Sequence, residues 1–171
     1  MRKVIIDTPL MELTLRRYEK PDNLNLRELL KKFCLSMGLL QPGDSRDIIV
    51  DILHVLLIAK KKERHLSSED IKSNVVDMRT NNNLPLLGVA SSNVRRQIKR
   101  LRDILIVEKV KNNYRIIEFA KLHDTFEEKI GQYLLPTILT RVKEYCKVID
   151  EEFHPAPKVN EGTSNSTFIS A

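Results

Sequence analysis

Eleven consecutive residues, Ile48-Ile-Val-Asp-Ile-Leu-His-Val-Leu-Leu-Ile58, carry nine large apolar side chains and only two polar ones. Wound as a helix, such a run is apolar around most of its circumference, so it is stable in water only when other elements surround it. Asp44-Ser45 supplies capping residues before it, and the helix is expected to run to about Arg64. Asp51 and His54 interrupt it and it is too short to span a bilayer. It therefore reads as the central buried helix of a globular domain, for which a chain of 171 residues, 42% hydrophobic and 30% charged, has the right composition. Asp47, Asp51 and His54 share one face at spacings of four and three, which would suit a metal or an acid–base pair. No further ligand is apparent, so a solvated or capped polar face is the simpler reading.

The neighbouring elements follow from local signals. Ser67-Ser-Glu-Asp70 is a capping signature for a helix to about Met78, with Ile71, Val75 and Met78 inward. Asn25 to Met37 reads as a helix with Leu26, Leu29, Leu30 and Phe33 inward, ended by Gly38, Pro42 and Gly43, and Val4 to Ile6 as a short strand. A third helix over 91–105 places Val94, Ile98, Leu101 and Leu105 on one face, and that face is expected to pack inward.

The charge of the chain is gathered on that third helix and the segment after it. Between Ser91 and Arg115 stand eight cations (Arg95, Arg96, Lys99, Arg100, Arg102, Lys109, Lys111, Arg115) against Asp103 and Glu108, which equals the whole chain's net charge of +6. A basic run is more often a wet helix face than a binding surface. Here, however, the first helical turn holds Arg95 and Arg96 and no carboxylate, although a helix N-terminus favours acids by about 0.3–1 kcal/mol per charge. Ser91 or Ser92 can cap the backbone, and the missing anion would be a phosphate brought by a partner. Gathered charge of this kind is the footprint of a surface that meets nucleic acid.

Leu87-Gly-Val-Ala-Ser-Ser-Asn-Val-Arg-Arg-Gln-Ile-Lys-Arg-Leu-Arg-Asp103 resembles the turn and recognition helix of winged helix-turn-helix transcription regulators, and Ile106 to Ile117 resembles the two strands of their wing. The arrangement is similar to the MarR and PadR groups and to small archaeal winged-helix proteins that dimerise through a long terminal helix. The resemblance covers residues 46–118. The chain departs from the pattern in two places: Asp103-Ile-Leu-Ile106 stands where the family has a glycine, and Arg79 to Gly88 is longer than the usual turn between the second and third helices.

Two wing registers are compatible with the residues. An Asn112-Asn113 turn would set Lys111 opposite Tyr114 and Val110 opposite Arg115. Counting Tyr114 into the loop pairs Val110 with Ile116 and Lys111 with Arg115; this is preferred, since it separates an apolar face from a basic one that a phosphate could bridge.

Phe119 to about Phe153 reads as helical, with a break or kink at Pro136. Beyond it Leu135, Ile138, Leu139, Val142, Tyr145, Cys146, Ile149 and Phe153 form a broad apolar stripe. The stripe either folds back on the domain or pairs with its copy in a second chain, which would set two basic helices ~34 Å apart on a two-fold site. The remainder, with Pro155, Pro157 and Gly162 to Thr167, reads as a disordered polar tail.

Other classes find little support. With five Phe, four Tyr and no Trp, the chain has few platforms for stacking single-stranded bases. Cys34 and Cys146 lie far apart and read as reduced thiols; the four histidines show no ligand spacing, and five glycines form no phosphate loop. The first residues break their apolar run too early for a signal peptide. Arg16-Arg17 reads as solvated surface more readily than as a backbone contact.

The expectation is a mainly α chain with a small β-hairpin wing: a winged helix-turn-helix with N-terminal and C-terminal helical extensions. Its parts would be an N-terminal extension (1–44), the winged domain (45–118), C-terminal dimerisation helices (119–153) and a tail (154–171). The expected function is binding of double-stranded DNA by a homodimeric cytoplasmic, nucleoid-associated regulator, with no enzyme activity, cofactor, metal or membrane. Arg95, Arg96 and Lys99 would enter the major groove, Ser92 and Asn93 would lie near phosphate or base edges, and Arg100, Arg102, Lys109, Lys111, Asn112, Asn113 and Arg115 would follow the backbone. The alternatives are a winged-helix scaffold that meets an acidic protein and an RNA-binding winged helix.

Overall fold

The structure, a computed structural model, describes residues 7–154. In chain order it contains α1 (Leu26–Ser36), α2 (Ile48–Lys61), α3 (Ser68–Asn81), α4 (Ser91–Asp103), β1 (Val107–Val110), β2 (Asn113–Ile116), a 3₁₀ turn (Ile117–Phe119), the single turn α5 (Leu122–Thr125), a π-helical stretch (Phe126–Leu134) and α6 (Leu135–Glu152). This is a helical bundle with a two-stranded antiparallel wing, the expected fold class. The expected strand over Val4 to Ile6 and the tail from Pro155 lie outside the described residues. The chain divides into two compact units, Met1–Ile138 and Leu139–Ala171.

In the first unit α2 is the centre, and α1, α3, α4 and β2 all pack on it. Ile48, Ile49, Val50, Ile52 and Leu53 are fully buried, while Ile58 at its far end is exposed. The helix begins later than Asp44-Ser45 suggests. The Asp44 carboxylate accepts from the Arg46 backbone N–H at 2.9 Å and turns the chain, and Asp47 takes the N-cap position without capping. It ends at Lys61 rather than Arg64, because Glu63 takes a left-handed backbone.

The polar face of α2 is neither solvated nor a metal site. Asp47 and Asp51 are buried and paired with arginines. Arg79 donates to Asp47 at 3.2 Å and to Asp51, and Arg27 donates to the same carboxylates at 3.1 and 3.3 Å. His54, half-buried, is not among these partners. Burial pushes the Asp47 carboxyl up, but Arg27 and Arg79 outweigh it and hold it below the usual carboxylate range. The demand for Arg79 also explains why α3 continues past Met78 to Asn81. Arg79 further donates to the Pro85 carbonyl at 2.8 Å, and its own carbonyl accepts from the Leu84 N–H at 2.8 Å, so one buried residue anchors the long connection to α4.

Helix α1 opens with a capping box, Asn25 and Glu28 satisfying each other's backbone N–H groups. Its inward residues are Leu30 and Cys34, whereas Leu26 and Leu29 are exposed, contrary to the apolar spacing: the helix meets α2 along a narrow face and the stripe is wider than that contact. Burial pushes the Cys34 thiol up to about 12. Arg16 is not solvated; its guanidinium donates to the Leu35 and Leu40 carbonyls at 2.8 and 3.2 Å and stitches the preceding segment to the end of α1.

The wing adopts neither expected register. Val107 pairs with Ile116, Glu108 with Arg115, Lys109 with Tyr114 and Val110 with Asn113, around a Lys111-Asn112 turn in which Lys111 has φ +57°. Every pair but the last is complementary: apolar on apolar, acid on base, cation on aromatic ring. That complementarity outweighs the left-handed lysine and replaces the proposed apposition of Lys111 and Arg115. Leu66 adds a one-residue third strand, exchanging both backbone bonds with Tyr114 at 2.7 and 3.0 Å. Between α4 and β1, Leu105 has φ +59°, the backbone that glycine supplies in winged-helix proteins, so the helix stops at Asp103.

Ile130 and Leu134 of the π-helical stretch complete the core, with Leu122 and Phe126 packed against it. The stretch ends in a bond from the Leu135 N–H to the Ile130 carbonyl, just before Pro136, which has no N–H to give.

In the second unit α6 continues with no buried residue. Leu139, Val142, Tyr145, Val148, Ile149 and Cys146 are all exposed. Among the described residues no helix is long and apolar enough to cross a membrane.

Candidate nucleic-acid interface

Helix α4 is held by Val94, Ile98 and Leu101, each fully buried against the α2 and α3 side of the core. Its start is made by glycine and asparagine rather than by the serines. Ala90 occupies the N-cap position with no side-chain cap, because the chain turns helical before either hydroxyl reaches that place. Gly88 has φ +79°, and a Cβ there would stand 3.0 Å from the Asn93 amide nitrogen, which donates to the Gly88 carbonyl at 2.8 Å. The Ser91 hydroxyl accepts from Lys72 at 3.0 Å and lies 3.4 Å from Glu69. Ser92 is exposed.

The missing first-turn acid is supplied in part by another helix. Glu69, in the first turn of α3, reaches Ser91 and pairs with Arg95 at 3.2 Å. Lys99 pairs with Asp103 at 2.8 Å, one turn on. Both pairs are exposed, and such pairs contribute about 0–1 kcal/mol, so a phosphate competes with them at little cost. On the wing Arg115 is engaged more firmly: it donates to Glu108 at 2.7 Å and its guanidinium lies 4.8 Å from the centre of the Phe119 ring. Burial pushes the Glu108 carboxyl up, but the Glu118 N–H and Arg115 outweigh it and hold it below its usual range.

The other cations have no carboxylate partner among the described residues. Arg96 donates to the Asn93 side-chain oxygen at 2.7 Å, and that oxygen also accepts from Gln97 at 3.2 Å. Arg100 donates to the Gln97 side-chain oxygen at 2.9 Å and to the Gly38 carbonyl at 3.1 Å. Two guanidiniums are thus oriented by neutral acceptors. Asn93, expected near phosphate or base edges, has both amide ends engaged in this chain of bonds. Arg102, Lys109 and Lys111 are exposed and have no carboxylate partner among the described residues; Lys109 stands 5.9 Å from the centre of the Tyr114 ring. Asn112 is exposed at the wing tip and Asn113 is half-buried in β2.

The fold brings in one cation that sequence spacing does not reveal. Arg46, exposed on the connection before α2, lines a cleft of about 380 Å³ together with Arg96, Arg100, Asn93, Gln97 and Asp44. Its distance of fifty residues from Arg96 in the chain hides this proximity.

Family models, curated proteins and solved structures were all compared with the chain, and none of them matches it. The mainly helical fold with a small open hairpin is of the winged-helix type in general, and no group within that type is singled out.

Proposed function

We propose that this chain binds double-stranded DNA as a dimeric winged-helix transcription regulator, working in the cytoplasm with the nucleoid. The observation that carries the reading is the state of α4: an exposed, strongly basic helix in which Arg96 and Arg100 are held in place by amide and carbonyl oxygens and not by carboxylates. Arg96, with Arg95 and Lys99 released from their surface pairs, reads the major groove, where arginine is the commonest partner of guanine. Asn93 orients Arg96, and Ser92 lies near phosphate at the helix start. Arg102 and the wing residues Lys109, Lys111, Asn112 and Asn113 follow the backbone, with Arg115 a weaker contributor. The stripe that starts at the half-buried Leu135 and Ile138 and continues through the exposed Leu139, Val142, Tyr145, Cys146 and Ile149 is the pairing surface for a second copy.

The test is duplex binding by the full chain at several salt concentrations, with molecular mass measured in parallel. If about six phosphates are contacted per protomer, about twelve by the dimer, log K falls against log salt with a slope of roughly −11. Arg96→Ala/Arg102→Ala should abolish binding with the fold intact. A slope near zero sinks the reading, preference for structured RNA moves it to RNA, and capture only by acidic proteins moves it to a scaffold.

A further inference from the structure

We propose that the cleft between the connection preceding α2 and the outer side of α4 is a seat for one backbone phosphate of the bound duplex, closed by Arg46. The proposal rests on the DNA reading and adds to it a contact outside α4 and the wing. Arg46, Arg96 and Arg100 line the cleft against one carboxylate, Asp44; Arg46 and Arg100 supply the phosphate contacts, while Arg96 adds positive field and keeps its major-groove role. Asp44, whose oxygen accepts from the Arg46 backbone N–H, offsets at most one of the three, and none of them has a carboxylate hydrogen-bond partner among the described residues. Arg96 and Arg100 are set in orientation by Asn93, Gln97 and the Gly38 carbonyl, whereas the Arg46 side chain has no hydrogen-bond partner among the described residues and is exposed. The cleft has the volume of about a dozen waters at ~30 Å³ each, enough for a phosphate and its remaining hydration. Arginines without carboxylate partners around one recess, floored by Leu39, Leu40 and Ile49, match a phosphate, whose oxygens accept their paired N–H groups. A phosphodiester is favoured over a free anion because Arg96 and Arg100 belong to the helix that meets the duplex.

The experiment compares the full chain with Arg46→Ala, Arg46→Lys and Lys62→Ala on random-sequence duplex from 50 to 200 mM salt. Lys62 lies past the far end of α2, about 20 Å from Arg46 by helical rise. Arg46→Ala should weaken binding roughly tenfold and make the salt slope shallower by about one per protomer, about two for the dimer. Arg46→Lys should recover part of the loss, and Lys62→Ala should bind as the native chain does. Steep, salt-dependent duplex binding that Arg46→Ala leaves unchanged overturns the seat and leaves the DNA reading standing. If the native chain does not bind duplex, both fall. In that case saturable shifts of the Arg46, Arg96 and Arg100 side-chain NMR signals with inorganic phosphate would assign the cleft to a free anion instead.

Discussion

Arg79 at the end of α3 and Asp51 in the first turn of α2 form an ion pair in which each side chain is only 2% exposed. A buried pair of this kind adds little net stability over apolar residues of the same size, yet removing one partner strands the other charge. Arg79 also holds the Pro85 carbonyl, so the pair sets the path of the chain into α4. Arg79→Met should therefore lower stability by about 3–5 kcal/mol in urea unfolding, and the surviving folded fraction should bind duplex more weakly than α4 alone would explain. Wild-type stability in that variant would show the pair to be dispensable.

Acid should loosen the same network. The folded carboxyl of Asp47 titrates below its unfolded value, so its contribution is complete above the unfolded value, near ~3.9, and disappears as pH falls through the lower folded one. Unfolding midpoints measured from pH 7 down to pH 2.5 should stay flat and then drop below about pH 4. Asp47→Asn should flatten part of that drop, and an identical acid profile for the variant would place the effect elsewhere.

On the DNA reading proposed above, Glu69 should compete with phosphate for Arg95. Glu69→Gln removes the carboxylate while preserving an acceptor for Ser91, and it should tighten duplex binding about two- to fivefold at low salt, with little effect on melting temperature. Weaker binding would mean that the pair holds Arg95 in its working position.

On the same reading, Lys111 should set stability against affinity. Its left-handed backbone at the wing tip costs about 1–2 kcal/mol that glycine does not incur. Lys111→Gly should raise the melting temperature by a few degrees and weaken duplex binding. A variant that is both more stable and unimpaired in binding would remove the wing tip from the interface.

The central helix, the capped start of α3, the inward face of α4 and the hairpin were legible because each is written in local periodicity or capping chemistry. What was hidden depends on residues far apart in the chain. Asp47 and Asp51 read as solvated because their partners, Arg27 and Arg79, stand twenty or more residues away. The wing register turned on Lys111 accepting a conformation that asparagine would take more readily. Arg115, read as a backbone contact, is drawn to Glu108 by the register actually adopted. At the candidate interface the positions of the cations were readable, but which of them are paired was not, since that depends on where Glu69, Asp103 and Glu108 stand.

The bond from Arg100 to the Gly38 carbonyl has a practical consequence. Trimming the chain at residue 45, where a winged domain would customarily be cut, discards Leu30, Cys34, Leu39 and Leu40 from the interior and leaves Arg100 without its tether. A fragment made that way would fail for want of its own foundation. Helix α4 is braced by residues that stand well upstream of it, so a shortened chain meant to keep that helix in place has to retain α1 and the Gly38 turn.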